Sequence, residues 1–251
     1  MAGHNKWANI KHRKGAQDKR RAILFSKCSK AIMAAVRQRG PDPSMNLSLV
    51  YAIEKARAAN MPRERIDRAI QAASGGNQGE NYETVIYEGY GPGGVAVLVE
   101  ALTDNRHRTA PDMKLIFSDY DGNMGASGCV SHMFALKTLM RVAATSANED
   151  QLFGIVAEAG GDDVQRDGDA FELSAPPECF AALRDALAAA KIECASVQMS
   201  YVPLMRIDVS DEATARKLIE LMEAFEDNDD VSTATANFDI SDALGEKLAR
   251  D

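Results

Sequence analysis

The sequence is poor in the residues that staple a fold together. Its four cysteines, Cys28, Cys129, Cys179 and Cys194, are widely spaced and form no C-x-x-C pair. Reduced thiols are therefore expected, rather than a disulfide framework or a zinc site. The histidines His4, His12, His107 and His132 show no H-E-x-x-H or similar ligand spacing, so no metal is expected. No apolar run approaches the roughly 20 residues that span a bilayer, and the start of the chain lacks the apolar core of a secretory signal. That start is rich in basic residues, as a mitochondrial presequence is, but Gly3, Asn5, Asn9 and Gly15 interrupt any amphipathic helix there. The expectation is a cytoplasmic, monomeric protein with no membrane segment and no cofactor.

The fingerprints of catalysis are missing too. There is no G-x-S-x-G, Walker A or dinucleotide motif, and no acid, base or nucleophile set stands out. The glycines of "GPGG" (91–94) lie between two β-rich runs. A phosphate cradle would lead into a helix, so a hairpin turn is expected. "DNDD" (227–230) and "SDYDG" (118–122) lack the spaced ligands of a calcium loop and read as solvated acidic turns. An enzyme acting on RNA or a nucleotide would have to draw on acids such as Asp104 and Asp112. No catalytic residue is assigned, and the chain is not expected to be an enzyme.

What the sequence does have is a lopsided charge. The 251 residues carry a net −8, yet residues 1–70 sum to +11 and the remainder to −19. The first 39 residues hold 11 basic side chains and one acid, Asp18. Such a split points to a polyanion-binding end on an anion-repelling body. His4, Lys6, Trp7, Lys11, His12, Arg13, Lys14, Lys19, Arg20, Arg21, Lys27 and Lys30 are the candidate nucleic-acid ligands of this end. The cations can neutralise phosphates. The only tryptophan, Trp7, can stack on an unpaired base or anchor the arm on the helices behind it.

Periodicity gives an α+β protein of three domains. Residues 1–78 read as a basic helical domain. Its helices cover 19–39, the stretch through Leu49, Ala52, Ile53 and Ala56, and the stretch from Pro62 to "SGG" (74–76). A middle α/β domain is discontinuous, 79–134 plus 203–240. It contains the hairpin 84–90/95–101, a helix capped by Thr109 with Pro111 in its first turn, and a strand at 129–134. Beyond the insert come a strand at 204–209, a helix at 211–227 and a strand at 231–238. Inserted at 135–202 is a βαββαβ succession, the ferredoxin-like order. Residues 241–251 are expected to be a C-terminal tail. A second binding candidate is "TDNRHRT" (103–109), where Asn105, Arg106 and Arg108 sit on a loop carried by a sheet. Helix-end hydrogen bonding and interdomain salt bridges are the alternative use of the same residues.

"MAGHNKWANIKHRKGAQD" (1–18), "AIEKARAANMP" (52–62), "YEGYGPGGVAVLVEALTDNRHRT" (87–109) and "GNMGASGCVSHMF" (122–134) closely resemble the YebC/PmpR family. That family includes the mitochondrial translational activator of cytochrome oxidase subunit I. Asn5 stands where the family usually has serine. Cys129 and His132 replace serine and tryptophan, and the "MAGH" start is that of a bacterial-type member. The resemblance implies a helical domain followed by two α/β domains, one inserted in the other, and no enzymatic activity. It implies a ribosome-associated, RNA-binding translation factor that assists elongation through difficult nascent sequences such as proline runs. Its ligand would be ribosomal RNA or the ribosome, with tRNA a further candidate. The alternative is a DNA-binding transcriptional regulator that reads a groove with residues 62–74, through Arg63, Arg65 and Arg68. Against this, "ANMP" lacks the glycine of many helix-turn-helix turns.

Overall fold

The computed structural model describes residues 17–75 and 82–248. Helices and sheets make an α+β protein whose helical head precedes α/β layers. Residues 135–202 form one compact unit, and the described residues before and after them form another.

The head consists of α1 (Gln17–Arg39), α2 (Leu47–Ala58) and α3 (Arg63–Ser74). Helix α1 buries Phe25, Cys28, Ile32, Ala35 and Val36 against Leu49, Ala52 and Ala56 of α2 and Ile66 and Ala69 of α3. Gly40 ends α1 with φ +88°, a conformation that glycine adopts at little cost, and its N–H bonds to the Val36 carbonyl. Asn46 then sutures the corner. Its side-chain oxygen caps Leu49 N while its amide donates to the carbonyls of Ala35 and Gly40, both at 2.8 Å. The α2–α3 turn is compact. Asn60 supplies the left-handed residue (φ +57°), and Met61 N bonds to the Ala56 carbonyl. The turn has no glycine, but asparagine also tolerates this conformation.

The first α/β layer is a sheet ordered β3-β1-β2-β9. Its strands are β1 (Glu83–Tyr90), β2 (Ala96–Thr103), β3 (Asn123–Met124) and, from beyond the insert, β9 (Val231–Ala236). Strands β1 and β2 form the expected hairpin, Glu83 opposite Thr103 and Tyr90 opposite Ala96. Helices α4 (Arg106–Asp119) and α7 (Glu212–Asp227) supply Met113, Phe117, Leu218, Met222 and Phe225 to the core shared with this sheet. The rings of Phe117 and Phe225 meet edge-on with centroids 4.8 Å apart.

Four local expectations are corrected here. Helix α4 begins at Arg106, because Asn105 caps it by accepting from His107 N and Arg108 N; Pro111 therefore lies inside the helix. Residues 131–133 form a 3₁₀ turn instead of strand, and β3 takes the place beside β1. The run 204–209 shrinks to β8 (Ile207–Asp208), which pairs in parallel with β10 (Phe238–Asp239). The stretch expected as a tail contains α8 (Asp242–Leu248), and Leu248 is buried in the sheet domain's core.

In the inserted unit, β4 (Phe134–Ala143), β5 (Asp163–Asp167), β6 (Ala170–Ala175) and β7 (Cys194–Pro203) are ordered β5-β6-β4-β7. Helix α5 (Glu149–Glu158) follows β4 and α6 (Phe180–Ala189) follows β6. This is the ferredoxin-like arrangement. Met140, Val142, Phe171 and Leu173 alternate along their strands, and they are buried together with Leu152 and Val156 of α5 and Leu183 and Leu187 of α6.

Candidate nucleic-acid interface

The cations of the head are sorted by what they touch. Three lysines point at the body. Lys27 Nζ donates to the Glu226 carbonyl, and Lys55 Nζ to the Ser232 carbonyl at 3.1 Å. Lys30 Nζ reaches Asp230 Oδ1 at 3.1 Å and the Asp229 carbonyl at 3.3 Å. All four partner residues lie where α7 ends and β9 begins. That helix end presents carbonyls and a partial negative charge, which favours cations. Burial pushes the Lys27 ammonium down to about 8, opposed by the Glu226 carboxylate and reinforced by Lys55.

Asp230 is the centre of this region. Its side chain is almost wholly buried, and Oδ2 lies 2.9 Å from Thr109 Oγ1, 3.3 Å from Thr103 Oγ1 and 3.2 Å from Arg108 Nη2. Its carbonyl accepts from Leu102 N. Burial opposes ionisation, but the donors from Thr109, Lys30 and Arg108 outweigh it and hold the carboxyl below its ordinary range. One carboxylate thus joins α1, the β2–α4 loop and the start of β9. "DNDD", expected to be a solvated turn, ends in a buried anchor.

The second candidate loop is absorbed into the same arrangement. Asn105 is the helix cap. Arg106 pairs with Glu83 at 2.9 Å. Arg108 spans Asp104 at 2.7 Å and Asp230 at 3.2 Å. All three residues thus have partners within the sheet domain, while the Arg106 and Arg108 side chains stay half exposed.

A second buried acid shapes the glycine-rich stretch. The Glu88 carboxylate accepts from the backbone N–H groups of Gly128, Val130 and Ser131 at 2.7–2.8 Å. Burial pushes the group up, but these three donors outweigh it and hold it below the usual range. They also curl the chain, so that turns occupy 129–133 and strand begins only at Phe134.

On the other side of the head, α1 and α3 meet at Phe25. The guanidinium carbons of Arg21 and Arg65 lie 5.3 and 5.4 Å from the centroid of its ring. Among the described residues, neither arginine meets a carboxylate. On the outer face of α3, Arg63 and Arg68 make only loose pairs, 3.7 Å to Asp67 and 3.6 Å to Glu64, with largely exposed side chains. Such pairs contribute little.

Of the residues expected to bind, His4, Lys6, Trp7, Lys11, His12, Arg13 and Lys14 lie outside the described residues. Lys19 and Arg20 fall in the first turn of α1. Arg21 stands at the exposed seam, whereas Lys27 and Lys30 are engaged by the body. Arg65, which the sequence suggests only as part of the groove-reading stretch 62–74, belongs to this seam. Its pairing with Phe25 runs across two helices, and only the i, i+4 spacing of Arg21 and Phe25 is legible in one.

Residues 5–76 match the model described as the TACO1/YebC protein N-terminal domain, and residues 82–238 that of the TACO1/YebC second and third domain. The chain belongs to the TACO1/YebC family. A relative from Rubrobacter xylanophilus, named "Probable transcriptional regulatory protein", is 44% identical over 250 residues, covering 99% of this chain and all of that one. A relative of the same description from a Sulfurihydrogenibium species is 45% identical, covering 99% of each chain. The crystal structure of a conserved hypothetical protein from Aquifex aeolicus is similar at a TM-score of 0.82 and 42% identity, covering 94% of this chain and 97% of that one. Its likeness extends the family assignment to the fold. Among the described residues, no helix is long and apolar enough to cross a membrane, and no cluster of three or more potential ligands could hold a metal.

Proposed function

We propose that this protein is a nucleic-acid-binding regulator that engages its ligand through the helical head and performs no chemistry on it. The observation that carries the reading is the sorting of the head's cations. The lysine side is satisfied by the body, while the arginine side, with Arg21, Arg65, Arg63 and Arg68, faces solvent without a strong internal partner. The sequence before α1 adds further basic residues to the N-terminal end of the chain.

Two ligands fit this head. Ribosomal RNA, bound by a factor that assists elongation through difficult sequences such as proline runs, is favoured by the motif resemblance. Duplex DNA, bound by a transcriptional regulator, is favoured by the names of the relatives. The compact α2–α3 turn with its left-handed Asn60 is an observation on the same side, because short turns of that kind join the helices of DNA-reading pairs. Cytoplasmic location suits either reading.

Co-sedimentation of the purified protein with ribosomes at near-physiological salt, against excess duplex DNA, separates the two. Retention on the ribosome supports the translation reading. Transfer to the DNA fraction supports the regulator, and binding to neither removes nucleic acid as the ligand.

A further inference from the structure

We propose that Arg21 and Arg65, held on the Phe25 ring at the α1–α3 seam, form a two-armed site for the phosphodiester backbone of a nucleic acid, and that Lys27, Lys30 and Lys55 stand outside it. The inference rests on the nucleic-acid reading above and narrows it to named residues.

The geometry distinguishes this pair from the other cations of the head. Arg21 lies one turn before Phe25 on α1, so it reaches the ring from its own helix. Arg65 reaches the same ring from α3. Phe25 itself is 8% exposed and belongs to the head's core, so the platform is fixed by packing. A guanidinium resting on an aromatic face keeps its in-plane N–H donors free, and the ring restricts the orientations it can take. Two such forks at one ring, with no described carboxylate between them, suit an anionic acceptor that offers two oxygens. A phosphodiester is such an acceptor, and it matches the guanidinium fork bidentately.

The lysines have the opposite circumstances. Each is spent on a carbonyl or carboxylate at the α7–β9 junction. Recruiting them to a ligand would strip those acceptors of their donors. Asp230 would lose one of its two cations while staying buried. The head therefore offers arginine to the ligand and lysine to the body.

The test measures binding of the full chain to a DNA duplex and to an RNA hairpin of matched phosphate number, each over a range of salt. Variants are Arg21→Gln, Arg65→Gln, the double variant and Lys55→Gln. Circular dichroism shows that each is folded; both arginines are exposed, so folding is expected to be retained. On whichever nucleic acid the parent binds, the double variant should lose about tenfold or more in affinity, and its salt slope should fall by about one. Each single variant should approach the loss of the double, since one arm alone holds the phosphate poorly. Lys55→Gln should keep the parental slope. If the parent binds and the double variant binds equally well with the same slope, the two-armed site is refuted while the nucleic-acid reading stands. Single losses that simply add also refute a shared site. If the parent binds neither probe, the two-armed site is refuted, and ribosome co-sedimentation decides the nucleic-acid reading.

Discussion

Replacing Asp230 by alanine should destabilise the head–sheet unit by about 3 kcal/mol. The contributions can be taken partner by partner. Thr103 and Thr109 are fully buried, and their hydroxyls lie 3.3 and 2.9 Å from Oδ2. A hydrogen bond of this kind contributes about 1 kcal/mol net, and each hydroxyl left behind is buried beside an empty space. Lys30 is largely covered and loses its only described carboxylate, adding about 1 kcal/mol. Arg108 is half exposed and keeps Asp104 at 2.7 Å, so its share is small. Urea unfolding of parent and variant at pH 7 measures the difference. The carboxyl ionises more readily folded than unfolded, so its stabilisation is present above the unfolded value near pH 4 and is lost as pH falls through the folded value. The gap between parent and variant should be full at pH 7 and close progressively below about pH 4. A difference under about 1 kcal/mol at pH 7, or a gap as large below about pH 4 as at pH 7, would refute Asp230 as the anchor.

Glu88→Gln leaves three backbone donors facing one carbonyl oxygen and a competing amide, at a cost of about 2 kcal/mol; thermal melts and amide exchange at Gly128, Val130 and Ser131 report it. Exchange as slow as in the parent would show that the carboxylate does not organise the turn. Lys27 is shifted in the same direction as the acids, but by burial, which disfavours its charged form. Its folded value is about 8, below the unfolded one, so parental stability should rise with pH from about 8 towards 10, whereas Lys27→Met should lack this rise in matched melts. Gly89→Ala would put a Cβ 2.5 Å from the Asn123 carbonyl and 2.8 Å from the Phe117 ring, so a loss of about 3 kcal/mol is expected on denaturation. A melt matching the parent's would mean that β3 is not held against β1.

The parts of the fold that were legible in the sequence rest on short-range periodicity. The amphipathic repeat of α7 and the hairpin around "GPGG" are each decided within about a dozen residues. What was not legible depends on partners far along the chain. Thr109 reads as a cap, but its hydroxyl is directed to Asp230, 121 residues away. Asn105 could have been found as the cap, since its side chain bonds two and three residues ahead. The strand expected at 129–134 has the composition of one, but Glu88, about 40 residues earlier, withdraws its N–H groups from any ladder. The tail was misjudged for a similar reason. Leu244 and Leu248 make a short apolar pattern whose worth depends on the core it meets.

The acidic body and the basic head are linked by more than opposite net charge. The end of α7 concentrates carboxylates and helix-terminal carbonyls, and such a place favours a compact ammonium that can donate to several acceptors at once. Lysine fills that role at positions 27, 30 and 55. Arginine, more weakly hydrated and able to lie flat on a ring, is found at the α1–α3 seam, away from those acids. Exchanging the two residue types should therefore be unequal in its effects. Arg65→Lys retains the charge but loses the planar fork, so affinity should fall while the melt stays put. Lys30→Arg retains the charge but must fit a bulkier head group beside Asp230, so the melt should fall while the affinity stays put. A head in which both exchanges acted alike on binding would be using its cations as a diffuse field, not as two separate sets.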